Sequence, residues 1–66
     1  MEIIVNGQAQ SVPDGFTAAQ LVAQMGLIGR RIAMEVNLEI VPRSTYDAHA
    51  LTAGDRIEIV HAVGGG

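Results

Sequence analysis

Thr17 to Gly26, TAAQLVAQMG, is the stretch that most limits what this chain can fold into. Its apolar residues Leu21, Val22 and Met25 recur at helical spacing, with Gln20 and Gln24 turned the other way. Thr17 followed three residues later by Gln20 fits a capping box, in which the hydroxyl and the amide satisfy each other's backbone N–H groups. Gly26 is placed to end the helix in a left-handed turn. The segment predicts one helix of about nine residues, roughly two and a half turns. A helix so short does not persist alone in water, so its apolar stripe has to rest on the strands around it.

Those strands are legible on both sides. In EIIVNGQAQSV, Ile3 and Val5 share one face and Glu2 and Ile4 the other; Asn6-Gly7 then supplies the two positive-φ residues of a tight hairpin. Residues 8–12 return as a more polar strand, closed by Pro13-Asp14-Gly15. After the helix, RIAMEVN sets Ile32, Met34 and Val36 against Ala33, Glu35 and Asn37 with period two. LEIVPRS gives a short extended piece that Pro42 restricts to a sheet edge, and Ser44 is placed to cap a single turn through Tyr46 and Asp47. Gly54-Asp55 marks a turn, and RIEIVHAV supplies the last strand, Ile57 and Ile59 inward, Arg56 and Glu58 outward.

The order predicts an α+β layer, a mixed sheet of four to five strands wrapped on one helix. The last strand is the most hydrophobic and belongs at the sheet centre, parallel to and beside the first. This leaves Ile4 and Val60 facing away from the helix as a candidate partner-binding patch, although isolated exposed aliphatics are ordinary on protein surfaces. Residues 1–63 read as one domain and residues 64–66 as a flexible glycine tail.

Composition removes most chemistry. The 66 residues contain no cysteine, which excludes disulfides, thiolate zinc sites and cysteine nucleophiles. The four arginines are joined by no lysine and the net charge is −3, so nucleic acid and anionic membrane surfaces are poor partners. No apolar run approaches a transmembrane span, and MEIIVNGQ does not read as a signal peptide, so a cytoplasmic location is expected. His49 and His61 have no second ligand at metal spacing, and no metal is expected. Ser44, Asp47 and His49 have the letters of a hydrolytic triad, but so short a segment cannot align them opposite an oxyanion hole.

What remains is the ending, HAVGGG. Terminal glycines are often a linker remnant or a frayed end. Here they follow directly on a strand, and three of them reach about 10 Å when extended. A carboxylate so mounted enters a channel too narrow for any side chain. Ordering the glycines costs roughly 1–2 kcal/mol each, which suits a protein that docks, reacts and leaves.

The segments EIIVNGQ, VNLEIVPRSTY (residues 36–46) and AGDRIEIVHAVGGG together resemble the ubiquitin-like β-grasp proteins, and in detail the ThiS family of sulfur carriers in thiamin thiazole biosynthesis. The resemblance covers nearly the whole chain; N-x-x-I-V-P-R, from Asn37 to Arg43, is its most particular part, and the third terminal glycine is a departure from members that stop at two. It implies a co-substrate rather than an enzyme. A separate ThiF-like adenylating enzyme uses ATP to join the C-terminal carboxylate to AMP, a sulfur donor (a cysteine desulfurase or related protein) displaces AMP, and the thiocarboxylate delivers sulfur to thiazole synthase. Mapped onto this sequence, Gly66 is the activated residue, Gly64 and Gly65 are the spacer, and Val63, Ile4 and Val60 belong to the docking surface. No cofactor is expected to stay bound.

Three other readings share these features. A sister carrier, such as the small subunit of molybdopterin synthase or a carrier for tRNA thiolation, uses the same terminal chemistry on another acceptor. A ubiquitin-like modifier would join its carboxylate to lysines of other proteins. A purely structural β-grasp module would make the tail dispensable.

Overall fold

The computed structural model describes residues 1–61. Strand β1 (Glu2–Val5) and strand β2 (Gln8–Ser11) form an antiparallel hairpin in which Val5 faces Gln8 across Asn6-Gly7. Both turn residues have positive φ, 49° at Asn6 and 83° at Gly7, the backbone that the sequence anticipates. Helix α1 (Ala18–Gln24) follows. Strand β3 (Ile32–Val36), strand β4 (Glu39–Val41), a 3-10 helix (Arg43–Ala48) and strand β5 (Arg56–His61) complete the described chain.

The five strands form one sheet in the order β2-β1-β5-β3-β4. β5 is central, parallel to β1 and antiparallel to β3, as its hydrophobicity predicts. β4 is an edge strand, consistent with Pro42 immediately after it. The core joins Ile3 and Val5 of β1, Met34 and Val36 of β3 and Ile57 and Ile59 of β5 to Ala18, Leu21 and Val22 of α1. The architecture is a β-grasp: a mixed sheet closed over one helix.

Helix α1 is held at both ends. The Thr17 hydroxyl accepts from the Gln20 N–H at 3.1 Å, and the Gln20 amide oxygen accepts from the Thr17 N–H at 2.9 Å, the predicted reciprocal cap. At the other end Gly26 N–H donates to the Ala23 carbonyl and Leu27 N–H to the Val22 carbonyl, the two bonds of a Schellman turn, with Gly26 at φ 72°. Ala18 N–H bonds to the His49 carbonyl and Leu51 N–H to the Phe16 carbonyl, which ties the start of the helix to the chain entering β5. Seven residues are helical rather than about nine because Thr17 and Met25 serve as caps.

Three expectations need correction. Met25 is not in the apolar stripe; as the C-cap it is 37 % exposed. Ser44 caps nothing: the 3-10 helix starts behind Pro42, and the Thr45 hydroxyl, not Ser44, bonds to the Pro42 carbonyl at 2.8 Å. Asn37 does not continue β3. Asn37 and Leu38, at φ 52° and 70°, form the turn between β3 and β4, where Val36 faces Glu39.

Candidate functional site

The site proposed from sequence lies at the exit of β5. Gly64, Gly65, Gly66 and Val63 fall outside the described residues, as does the boundary between residues 63 and 64. The strand that leads to them is described as far as His61.

The backbone of β5 is held from both flanks. On one side five residue pairs join it to β3, from Val36 opposite Ile57 to Ile32 opposite His61. On the other, β1 reaches only Arg56 and Ile57, opposite Ile4 and Val5. Two asparagines extend these ladders. The Asn6 Oδ1 accepts from the Ile59 N–H at 2.8 Å, and the Asn37 Oδ1 accepts from the Arg56 N–H at 3.0 Å. Both belong to the left-handed turns that join β1 to β2 and β3 to β4, so each turn residue also holds the central strand. The sequence marked Asn6 as a turn residue and placed Asn37 on a strand; neither bond follows from periodicity.

The entrance to β5 is fixed by Asp55, which is buried at 8 % exposure. Its Oδ1 accepts from the Asn37 amide at 3.0 Å and the Thr52 hydroxyl at 2.9 Å, and its Oδ2 accepts from the Thr52 N–H at 2.8 Å. Burial works to raise its pKa, but the Thr52 N–H, the Asn37 amide, the Thr52 hydroxyl and the nearby His49 together hold the carboxyl below the usual range. A groove of about 380 Å³ runs past Asp55, His49, Thr45 and Ile40. The Asp55 oxygens face Asn37 and Thr52, so the carboxylate acts as an internal brace.

Ile4 and Val60 both lie on the outer face of the sheet, on the neighbouring strands β1 and β5, and the register sets how far apart they stand. Ile4 is opposite Arg56, four residues before Val60 on β5, so the two are separated along the strand by Glu58. Ile4 is half-buried, whereas Val60 is 58 % exposed and lies opposite Ala33. The exposed Ile40 is opposite Glu35, in the row of Glu35 and Glu58, one same-face step from the row of Val60 and Ala33, so Ile40 and Val60 stand diagonally across β3. Glu35 and Glu58 face each other directly across β3 and β5. Alternation put them on this face, but only the register sets them opposite one another.

The imidazoles stand apart in the fold, His49 at the end of the 3-10 helix and His61 at the end of β5. Among the described residues no three His, Cys, Asp or Glu side chains are grouped to hold a metal ion. Ser44 and Asp47 are both exposed on the 3-10 helix. Among the described residues no helix is long and apolar enough to cross a membrane.

The ThiS family model matches residues 2–66. Over all 66 residues the chain is 39 % identical to a thiazole synthase of Paramagnetospirillum magneticum and 38 % identical to one of Magnetococcus marinus, and it spans 20 % of the length of each. It is 32 % identical to the sulfur carrier protein ThiS of Escherichia coli K12, with each chain covered in full. The crystal structure of a thiamine biosynthesis protein (ThiS) from Geobacter metallireducens superposes with a TM-score of 0.86 at 26 % identity, again with both chains covered.

Proposed function

The chain belongs to the ThiS family, and on that footing we propose that it carries sulfur as a C-terminal thiocarboxylate on Gly66 and delivers it for thiazole formation. The observation that carries this reading is the family match running through residue 66, behind a strand that is central in the sheet. The carboxylate is inert until a ThiF-like enzyme transfers AMP to it from ATP, releasing pyrophosphate. Hydrosulfide then attacks the acyl carbon and AMP leaves, so that sulfur replaces one carboxylate oxygen; with a protein persulfide as donor, the acyl disulfide first formed is cleaved by a thiol reductant, which ends as a disulfide while the thiocarboxylate is released. The thioacid ionises at neutral pH and is the nucleophile that the acceptor uses. The chain itself performs none of these steps; it presents the reacting group and docks.

Two relatives that match this chain over its full length are named thiazole synthases, which supports thiazole synthase as acceptor over molybdopterin synthase or a tRNA-thiolating enzyme. For docking we assign Val60 with Ala33 and Ile40, a grouping that the strand register supports in place of Val60 with Ile4. Gly64 and Gly65 are the spacer that enters the partner, and Val63 is the residue from which it departs.

The test is intact mass. The chain is incubated with ATP, an activating enzyme and a sulfide source, and the mass gain of one sulfur for one oxygen is sought on the C-terminal fragment. That gain, followed by thiazole formation with purified thiazole synthase, is the expected result. Full activity after removal of Gly65 and Gly66 would refute it, and transfer to molybdopterin synthase alone would reassign the acceptor.

A further inference from the structure

Three of the four arginines gather at one corner of the fold. Arg30 and Arg31 are consecutive between α1 and β3, and the Arg43 Nη2, at the start of the 3-10 helix, donates to the Arg30 carbonyl at 2.8 Å. A guanidinium has five N–H donors, and this bond uses one of them. Among the described residues the single ion pair joins the N-terminus to Asp14, so none of the three arginines has a described carboxylate at ion-pair distance. All three are exposed.

Beside them lies a groove of about 280 Å³. One wall is α1 with the loop after it, which gives Ala19, Val22 and Ile28; the other is the 3-10 helix, which gives Arg43, Tyr46 and Asp47. Ile28 is 75 % exposed, a branched aliphatic side chain left in water at the mouth of an apolar recess. Val22 and Tyr46 belong to the core, so the groove opens on the helix side of the sheet, away from the outer face that carries Val60 and Ile40. A partner seated on one side leaves the other uncovered.

We propose that this groove is a second docking surface and that it takes an acidic segment of a partner protein, with one aliphatic side chain of that segment against Ile28 and its carboxylates against Arg30, Arg31 and Arg43. Charge complementarity selects the occupant. A free phosphate or a nucleic acid would use the arginines but leave Ala19, Val22 and Ile28 without a partner, and Asp47 repels a polyanion from inside the groove. An anionic membrane is opposed by the net charge of −3. Exposed charges of this kind speed the encounter and add little to how long the complex lasts, which suits a protein that must leave again. The inference rests on the carrier reading, because the partner is one of the two enzymes between which a carrier moves.

The experiment measures association and dissociation rates of the full chain with purified ATP-dependent activating enzyme and, separately, with purified thiazole synthase. Wild type is compared with Arg30→Gln/Arg31→Gln, Ile28→Ser and Arg56→Gln. With one of the two enzymes the double variant should associate about tenfold more slowly at low ionic strength, its dissociation within about threefold, and about 0.5 M salt should close the gap. Ile28→Ser should dissociate about tenfold faster from the same enzyme. Arg56→Gln, which removes a charge from the outer face, should stay within about twofold in both rates. Wild-type rates in the double variant with both enzymes would overturn the proposal, as would an Arg56→Gln variant slowed as much as the double one. Amide shifts at Val22 and Ile28 on adding inorganic phosphate, or on concentrating the chain alone, would give the groove to a free anion or to a second copy and overturn it too. Adenylate formation on the wild-type chain is followed alongside: its absence refutes the carrier reading and this surface with it, whereas adenylate formed through salt-independent binding to both enzymes refutes this surface alone.

Discussion

Replacing Asp55 with asparagine exchanges one carboxylate oxygen for an NH2 group and tests whether a buried charge, rather than a shape, holds the entrance to β5. The carboxylate receives three hydrogen bonds, from the Asn37 amide, the Thr52 hydroxyl and the Thr52 N–H. An amide in its place accepts through one atom only. If its nitrogen replaces Oδ2, it meets the Thr52 N–H; if it replaces Oδ1, it meets the Asn37 amide. Asn37 cannot rotate to relieve this without withdrawing the oxygen that accepts from the Arg56 N–H. One donor is left without an acceptor in either orientation, at a cost of about 1–3 kcal/mol, and the surviving bonds lose their charge. A loss of about 2 kcal/mol is expected, which for so small a domain lowers Tm by roughly 8–16 °C.

The pH dependence gives that prediction a sign. The folded carboxyl titrates below its unfolded value of about 3.9. Its contribution is therefore complete above the unfolded value and disappears as pH falls through the folded one. Thermal and urea unfolding, followed by circular dichroism, should show the wild-type protein well above Asp55→Asn at neutral pH, with the gap closing in strong acid. A gap under about 0.5 kcal/mol at neutral pH, or one that acid leaves unchanged, would refute the reasoning.

Thr17→Ala removes the hydroxyl half of the capping box and should cost about 1 kcal/mol in chemical unfolding, without altering the slope of the transition. Glu35→Lys turns a like-charged cross-strand pair into an opposite one facing Glu58; it should stabilise the protein by about 0.5 kcal/mol at low ionic strength, and added salt should erase the gain.

The elements were legible because each carries its own local signal. Asn6-Gly7 needs no context, since both residues accept positive φ, and Thr17 with Gln20 names its cap outright. The centrality of β5 followed from its apolar content. The turn at Asn37-Leu38 was hidden because leucine is a poor occupant of the left-handed region, where a residue with a Cβ pays roughly 1–2 kcal/mol. Pairing of β3 with β4 overrides that preference. Ile4 and Val60 show a different limit: period two tells which face a residue takes, but not which rung it occupies. That rung is set by where β1 turns away at Gly7 and where β5 enters at Asp55, and these are separated by most of the chain. Asn6 was read for its backbone and missed for its side chain, because its partner, Ile59, is 53 residues away.

The adjacency of β1 and β5 also sets an order of events during synthesis. A chain made from its N-terminus can close the β1–β2 hairpin early and coil α1 soon after, both from local contacts. Ile3, Val5 and Leu21 then wait uncovered until Ile57 and Ile59, nearly the last residues of the described fold to be made, slot between β1 and β3. Long-range closure of this kind makes folding late and cooperative. A ribosome-bound intermediate lacking β5 should therefore be a client for chaperones that bind exposed aliphatic surface.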